Sequence, residues 1–161
     1  MDENTAPKDE NAEHRPSRKA RALSARLSAV QALYQASQNK QPINALLDEY
    51  INHRSDMEID GEKIVKPDSK LLKKILLGVD ERQAELLSIV DANLNKDASD
   101  RKVEPLLKAI FLCGCYELMI ADHDAPVIIN DYINVSHAFY ERSEAALVNG
   151  VMDSISKTFK S

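Results

Sequence analysis

The sequence predicts an all-α protein, two small helical bundles packed together and preceded by a disordered acidic tail. Three observations carry that expectation. Aromatic residues make up only 5% of the chain, tryptophan is absent and glycine occurs four times in 161 residues, a composition short of what strands and tight hairpins use. Apolar residues recur at spacings of three and four along most of the chain, and no segment alternates with the period of two of a half-buried strand. A chain of this length holds one ordinary domain, or two small bundles sharing a core, and buries roughly two-thirds of its unfolded surface without a staple.

The tail comes first. Residues 1–14 include Asp2, Glu3, Asp9, Glu10 and Glu13 against a single Lys8, with almost nothing to bury. The helical domain spans 15–161. Pro16 opens a helix from Ser17 to about Gln38, on which Leu23, Leu27, Val30 and Tyr34 share one face. "PINALLDEYINHR" is a shorter helix begun at Pro42, followed by a polar connection over 55–67 that contains the Asp60-Gly61 turn pair. Asp68 or Ser69 caps a long helix to about Leu94, with Leu72, Ile75, Leu76, Val79, Leu86, Ile89 and Val90 as its buried stripe. "EPLLKAIFLCGCYELMI" (104–120) is apolar nearly all round and carries Pro105 in its first turn, so it is the expected central helix. "PVIINDYINVSHAFY" and "SEAALVNGVMDSISKTF" are two further helices, Ser143 being a candidate cap for the second.

Charge then separates one stretch from the rest. The chain has a formal net charge of −5, yet Arg15, Arg18, Lys19, Arg21 and Arg26 fall within twelve positions, with no acidic residue until Asp48. On the helical wheel these cations occupy an arc away from the apolar face, with Ser24, Ser28, Gln31 and Gln35 between. Guanidiniums beside neutral hydrogen-bonding groups suit phosphate contact plus base contact. Three readings stand open for it: a nucleic-acid surface, a solvated charged face, or a membrane or partner contact. A helix with a neighbouring ring suits single-stranded or bulged RNA, since A-form grooves are hard for a helix to read. Tyr34 is the candidate ring, although its spacing also suits a core position.

Other chemistries find no support. His14, His53, His123 and His137 are scattered, Cys113 and Cys115 lie one residue apart in an apolar run, and Gly61, Gly78, Gly114 and Gly150 are far apart. These spacings give no metal site, no phosphate-cradling glycine loop and no nucleophile elbow. The thiols are expected in the core, in a reducing compartment. No run approaches a bilayer span and the N-terminal residues lack an apolar signal stretch, so the expectation is a cytoplasmic protein that uses no membrane, no cofactor and no catalytic residue. Asn149-Gly150 inside a helical pattern points to close helix packing or a functional approach.

Four segments together resemble the transcription antitermination factor NusB family. "ARLSAVQALYQ" (25–35) is similar to that family's first-helix signature, "EPLLKAIFLCGCYEL" (104–118) to its central helix, "INDYINVSHAFY" (129–140) to its acidic-residue helix and "LVNGVMD" (147–153) to its closing signature. They occur in the family's order over residues 15 to about 156. The resemblance implies pairing with NusE, a small-subunit ribosomal protein, joint binding of boxA-type single-stranded RNA in ribosomal RNA leaders, and action within an RNA polymerase antitermination complex, with no catalysis. By resemblance the RNA-contacting set is Arg18, Lys19, Arg21, Arg26, Tyr34, Lys108 and Asn149. The segment Phe139 to Ser143, with Phe139, Tyr140, Ser143 and the nearby Leu147, matches the partner-binding region. Ala22, Leu23 and Ser24 stand where the family often has arginines, which displaces the positive stripe by about a turn. Leu112 stands where many relatives carry another. Two other readings follow from the same residues: the RNA-binding domain of a ribosomal RNA cytosine methyltransferase, which requires a further cofactor domain, and a helical protein adaptor or homodimer whose basic face is unused for RNA.

Overall fold

A computed structural model describes residues 16–52, 58–59, 62–63, 65–97 and 103–160. The expected acidic tail, Arg15 and the Asp60-Gly61 turn lie outside them. The first helix, α1 (Arg18–Asn39), starts where the Ser17 side chain accepts a hydrogen bond from the Ala20 amide at 3.0 Å. It stops at Lys40, whose φ of 54° turns the chain into the left-handed region while its amide still reaches the Ala36 carbonyl. The second helix, α2 (Ile43–Asn52), follows Pro42 and buries Ile43, Leu46, Leu47 and Tyr50.

The polar connection holds a feature that the sequence reading lacked. Strand β1 (Glu58–Ile59) pairs antiparallel with β2 (Glu62–Lys63), Glu58 opposite Lys63 and Ile59 opposite Glu62. Two residues per strand are too few for a period of two to register.

Asp68 caps α3 (Ser69–Glu81) by accepting a hydrogen bond from the Leu71 amide at 3.2 Å. The single helix expected to run on to Leu94 is instead broken at Arg82, which leaves helical geometry, and α4 (Gln83–Asp97) begins directly after it. Apolar spacing conceals this break because Val79 and Leu86, both fully buried, keep a seven-residue interval across it. The central helix, α5 (Pro105–Ile120), has ten consecutive buried residues, 109–118, and ends at Ala121 with φ 55°. Two helices complete the order, α6 (Ala125–His137) and α7 (Arg142–Thr158). Ser143 does not cap α7. The helix starts one residue earlier, Glu141 takes the cap position without a side-chain bond, and the Ser143 hydroxyl donates to Glu144 at 2.8 Å.

The described helices form the two expected bundles. α1, α2 and α3 pack on one another, as do α4, α6 and α7 through α7, and α5 touches α1, α3, α4, α6 and α7. Close approach to α5 requires glycine twice: a Cβ on Gly78 would fall on the Tyr116 ring, and one on Gly114 on the Met152 side chain. Cys113 and Cys115 are free and buried, as expected of core thiols. No described helix is long and apolar enough to cross a membrane.

Candidate nucleic-acid interface

Exposure along α1 depends on distance from its N-terminus more than on the face of the helix. Arg18 and Lys19 are exposed, Ala20 to Leu23 are partly buried, and from Ser24 to Leu33 only Leu27 and Gln31 escape full burial. The basic first turn therefore projects from a helix whose middle, Ser24 to Leu33, is clamped in the core. Arg18, Lys19 and Arg21 form no ion pair among the described residues.

The chain entering α3 crosses this end of α1. The Asp68 amide donates to the Arg21 carbonyl at 3.0 Å, and the Ser24 hydroxyl donates to the Val65 carbonyl at 2.5 Å. Ser24 thus has a packing role in place of a phosphate contact, while Ala22 and Leu23 lie against the core. The displaced stripe has a physical origin: positions 22–24 are where α1 enters the bundle.

Arg26 corrects the sequence reading. It is 1% exposed, and its guanidinium is taken up by carboxylates from two other helices. Nε and Nη2 donate to the two oxygens of Glu117 at 2.7 and 2.8 Å, and Nη1 donates to Asp131 at 2.8 Å. The Tyr132 hydroxyl donates to Glu117 at 2.6 Å. Burial opposes the charge on Arg26, but the hydrogen bonds and charge of Glu117, the Tyr132 hydroxyl and the hydrogen bond to Asp131 outweigh it, and the guanidinium stays protonated more firmly than usual. Burial, with the charge of Glu117, pushes the Tyr132 hydroxyl well above its ordinary range. A side chain so enclosed cannot touch RNA. Its function is to fix α1 against α5 and α6.

Tyr34 lies about 24 Å along α1 from Arg18, at 1.5 Å per residue. It is partly buried and lines a cavity of about 410 Å³ with Gln31, Gln35, Tyr50, Leu106 and Phe139. Within it the Tyr50 hydroxyl donates to Gln35 at 3.0 Å, and Gln31 Oε1 is buried with no hydrogen-bond partner among the described residues. The structure thus places Tyr34, expected at RNA, beside Phe139, expected at a protein partner. Nearby, the Tyr140 hydroxyl donates to Glu104 at 3.2 Å; burial and the charge of Glu104 push its pKa up to about 12. Ser143 is exposed, and Leu147, one turn along α7, is partly buried against the core.

Lys108 stands at the other end of the molecule from Arg18. Arg26 meets Glu117 while Tyr34 and Leu106 share a cavity, so α5 runs antiparallel to α1. That puts Lys108 about 25 Å along the helix axes from Arg18. Its ammonium lies 3.0 Å from Asp91, in the wall of a cavity of about 240 Å³ with Leu33, Leu87 and Pro105. Leu112 is buried, which leaves no room for a solvent-facing arginine there. Asn149 is exposed in a groove of about 330 Å³ between α6 and α7, with Asn130 and Asp153. Gly150 is exposed as well, so helix packing does not account for the Asn-Gly pair. Among the described residues no three His, Cys, Asp or Glu side chains are grouped to hold a metal ion.

Of the predicted RNA residues, then, the structure brings together Arg18, Lys19 and Arg21 and separates Tyr34 and Lys108 from them, while Asn149 lies in its own groove between α6 and α7. It also sets beside them three cations that sequence reasoning passed over: Lys66, Lys70 and Lys73, all exposed. The spacing of Lys70 and Lys73 was a usable signal for a common helical face, but nothing in the sequence placed that face, or Lys66 before it, next to α1.

Comparison with known proteins supplies the family. The model of the NusB family matches residues 23–157. The transcription antitermination protein NusB of Novosphingobium aromaticivorans is 39% identical over 140 residues, 86% of this chain and 94% of that protein. The protein of the same name from Nitrobacter hamburgensis is 34% identical over 84% of this chain and 86% of its own length. Among solved structures, T. maritima NusB aligns with a TM-score of 0.67 at 18% identity, over 89% of this chain and 93% of that one. A structure of NusB and NusE in complex with double-stranded RNA aligns with a TM-score of 0.69 at 19% identity, over 88% and 99%. These last two likenesses concern the fold, whereas the family model and the relatives, sharing a third or more of their residues over most of their length, show that the chain belongs to the NusB family of non-catalytic transcription antitermination factors.

Proposed function

We propose that the protein binds boxA-type single-stranded RNA of ribosomal RNA leaders together with NusE, and that the assembly acts in the cytoplasm on RNA polymerase to suppress termination. The observation that carries this reading is the unpaired basic end of α1: Arg18, Lys19 and Arg21 project from a chain of net charge −5. Backbone phosphates neutralise such a cluster, and a helix end can follow a flexible strand without entering a groove. Family membership and the NusB–NusE–RNA neighbour support an RNA and a protein partner in general. The cavity shared by Tyr34 and Phe139, flanked by Tyr140, Ser143 and Leu147, is the proposed NusE surface, with aromatic and amide groups suited to a neutral protein contact. Lys108 lies apart from the basic end, and Lys108 and Asn149 are proposed as further contacts to the RNA.

The test is a titration of boxA-type and scrambled RNA, with and without NusE, at several salt concentrations. Affinity should fall steeply with salt, and Arg18→Ala with Arg21→Ala should reduce the logarithmic slope by about 1.4, at roughly 0.7 per phosphate on a single strand. Binding of a protein partner or a second copy with little salt dependence, and no competition by RNA, would favour an adaptor or homodimer instead.

A further inference from the structure

We infer that the RNA surface of this protein is composite, continuing from the first turn of α1 onto a lysine row formed by Lys66, Lys70 and Lys73, which grips the phosphates of the same strand. The inference rests on the RNA-binding reading above and adds residues that reading does not contain.

Three observations bear on it. The first is placement. Val65 and Asp68 are both hydrogen-bonded to α1, at Ser24 and Arg21, so Lys66 lies on a segment held against the basic end of that helix. Lys70 and Lys73 continue from it on the exposed face of α3, opposite the buried Leu72, Ile75 and Leu76. Lys70 and Lys73, three apart, share one strip of α3, and Lys66 precedes them on the non-helical residues before the Asp68 cap, so the row runs from the crossing segment onto the first turns of α3.

The second is the state of the charges. Lys66, Lys70 and Lys73 make no ion pair among the described residues, whereas the next lysine, Lys74, is paired with Asp122 at the end of α5. The nearest carboxylate on the crossing segment, Asp68, accepts a hydrogen bond from the Leu71 amide as the helix cap. Six unpaired cations, Arg18, Lys19, Arg21, Lys66, Lys70 and Lys73, thus share one end of an acidic protein. Like charges placed side by side repel, and a polyanion relieves that repulsion.

The third is the gap it fills. Positions 22–24 belong to the core side of α1, so the start of this helix offers two exposed cations, Arg18 and Lys19, and the partly buried Arg21. Lys66 stands on the segment bonded to that same turn and supplies positive charge there from a different part of the chain. The partner chemistry is a single-stranded RNA backbone, read through phosphates by point-charge ammoniums.

The experiment replaces the three lysines by glutamine and measures binding of a boxA-type RNA oligonucleotide with NusE across a salt series. The slope of log affinity against log salt should fall by about 2, at roughly 0.7 per phosphate. Lys66→Arg, Lys70→Arg and Lys73→Arg together should retain it. The exposed Lys40→Gln, about 33 Å from Arg18 along α1, is the charge control and should leave the slope within about 0.3. An unchanged slope in the triple glutamine variant, with Arg18→Ala and Arg21→Ala still lowering it, overturns the composite surface and leaves the reading of α1 intact. A wild-type protein whose RNA binding shows no salt dependence overturns both. Thermal unfolding of each variant checks that these exposed replacements leave the fold unchanged.

Discussion

Arg26 and Glu117, 91 positions apart in sequence, meet in the core through two parallel hydrogen bonds of 2.7 and 2.8 Å. With Asp131 the pair forms a buried group of one cation and two carboxylates, completed by the Tyr132 hydroxyl. Removing the cation leaves two carboxylates without their counter-charge in a site closed to water. Arg26→Ala is therefore expected to cost about 3–5 kcal/mol of stability, read from urea unfolding. Tyr132→Phe removes one bond to a charged acceptor and should cost about 1.5–3 kcal/mol. A loss below about 1 kcal/mol in Arg26→Ala would show that the network is not structural.

Gly78 faces the Tyr116 ring, and a methyl group there would occupy the same space. Tyr116 is itself buried within α5, so the ring has little room to retreat. Gly78→Ala should destabilise by about 1–3 kcal/mol through overpacking. Combining it with Tyr116→Ala should cost clearly less than the sum of the two single changes, because the clash disappears with the ring.

Ala121 ends α5 with a φ of 55°, a conformation in which an L side chain crowds the following carbonyl. Glycine adopts it freely. Ala121→Gly should raise stability by about 1 kcal/mol, or 2–4 °C in the melting temperature of a chain this size. No rise in a calorimetric scan would mean that Ala121 sits there without strain.

Burial pushes both thiols up, Cys115 to about 12 and Cys113 higher still. Folded protein therefore keeps thiol protons that the unfolded chain releases from about pH 9, and stability is full below that value. It should fall as pH rises from about 9 to 12, with Tyr140, raised to about 12, adding to the loss above pH 10. Urea midpoints at pH 8, 9, 10 and 11 measure this trend. Cys115→Ala should show a lower midpoint at pH 8 but a shallower decline. Native protein at pH 8 should react with a thiol reagent only at its rate of opening.

Several helices were legible in the sequence through a local signal: Ser17 and Asp68 as caps, Pro42 just before α2, Pro105 in the first turn of α5, and apolar spacings of three and four between. The break at Arg82 was not, since the interval from Val79 to Leu86 is the same in one helix as in two. That Tyr34 and Phe139 line one cavity was not legible, because they lie 105 positions apart in the chain. Arg26 was misread for a related reason. An arginine beside other arginines looks exposed until the carboxylates that neutralise it are known, and those come from 91 and 105 positions away. Lys66, Lys70 and Lys73 escaped notice because their relation to α1 runs through backbone bonds at Arg21 and Ser24, which no side-chain pattern encodes.

One helix, α1, is anchored over most of its length and free at its start. Its exposed start and its buried middle therefore meet different physical demands. If the proposed RNA surface holds, changes from Arg18 to Arg21 are expected to alter how firmly RNA is held in a given salt, while the buried residues from Ser24 to Leu33 keep the protein folded. Affinity and stability can evolve separately along a single element, and a lineage can acquire a new arrangement of positive charge here without passing through an unfolded intermediate sequence.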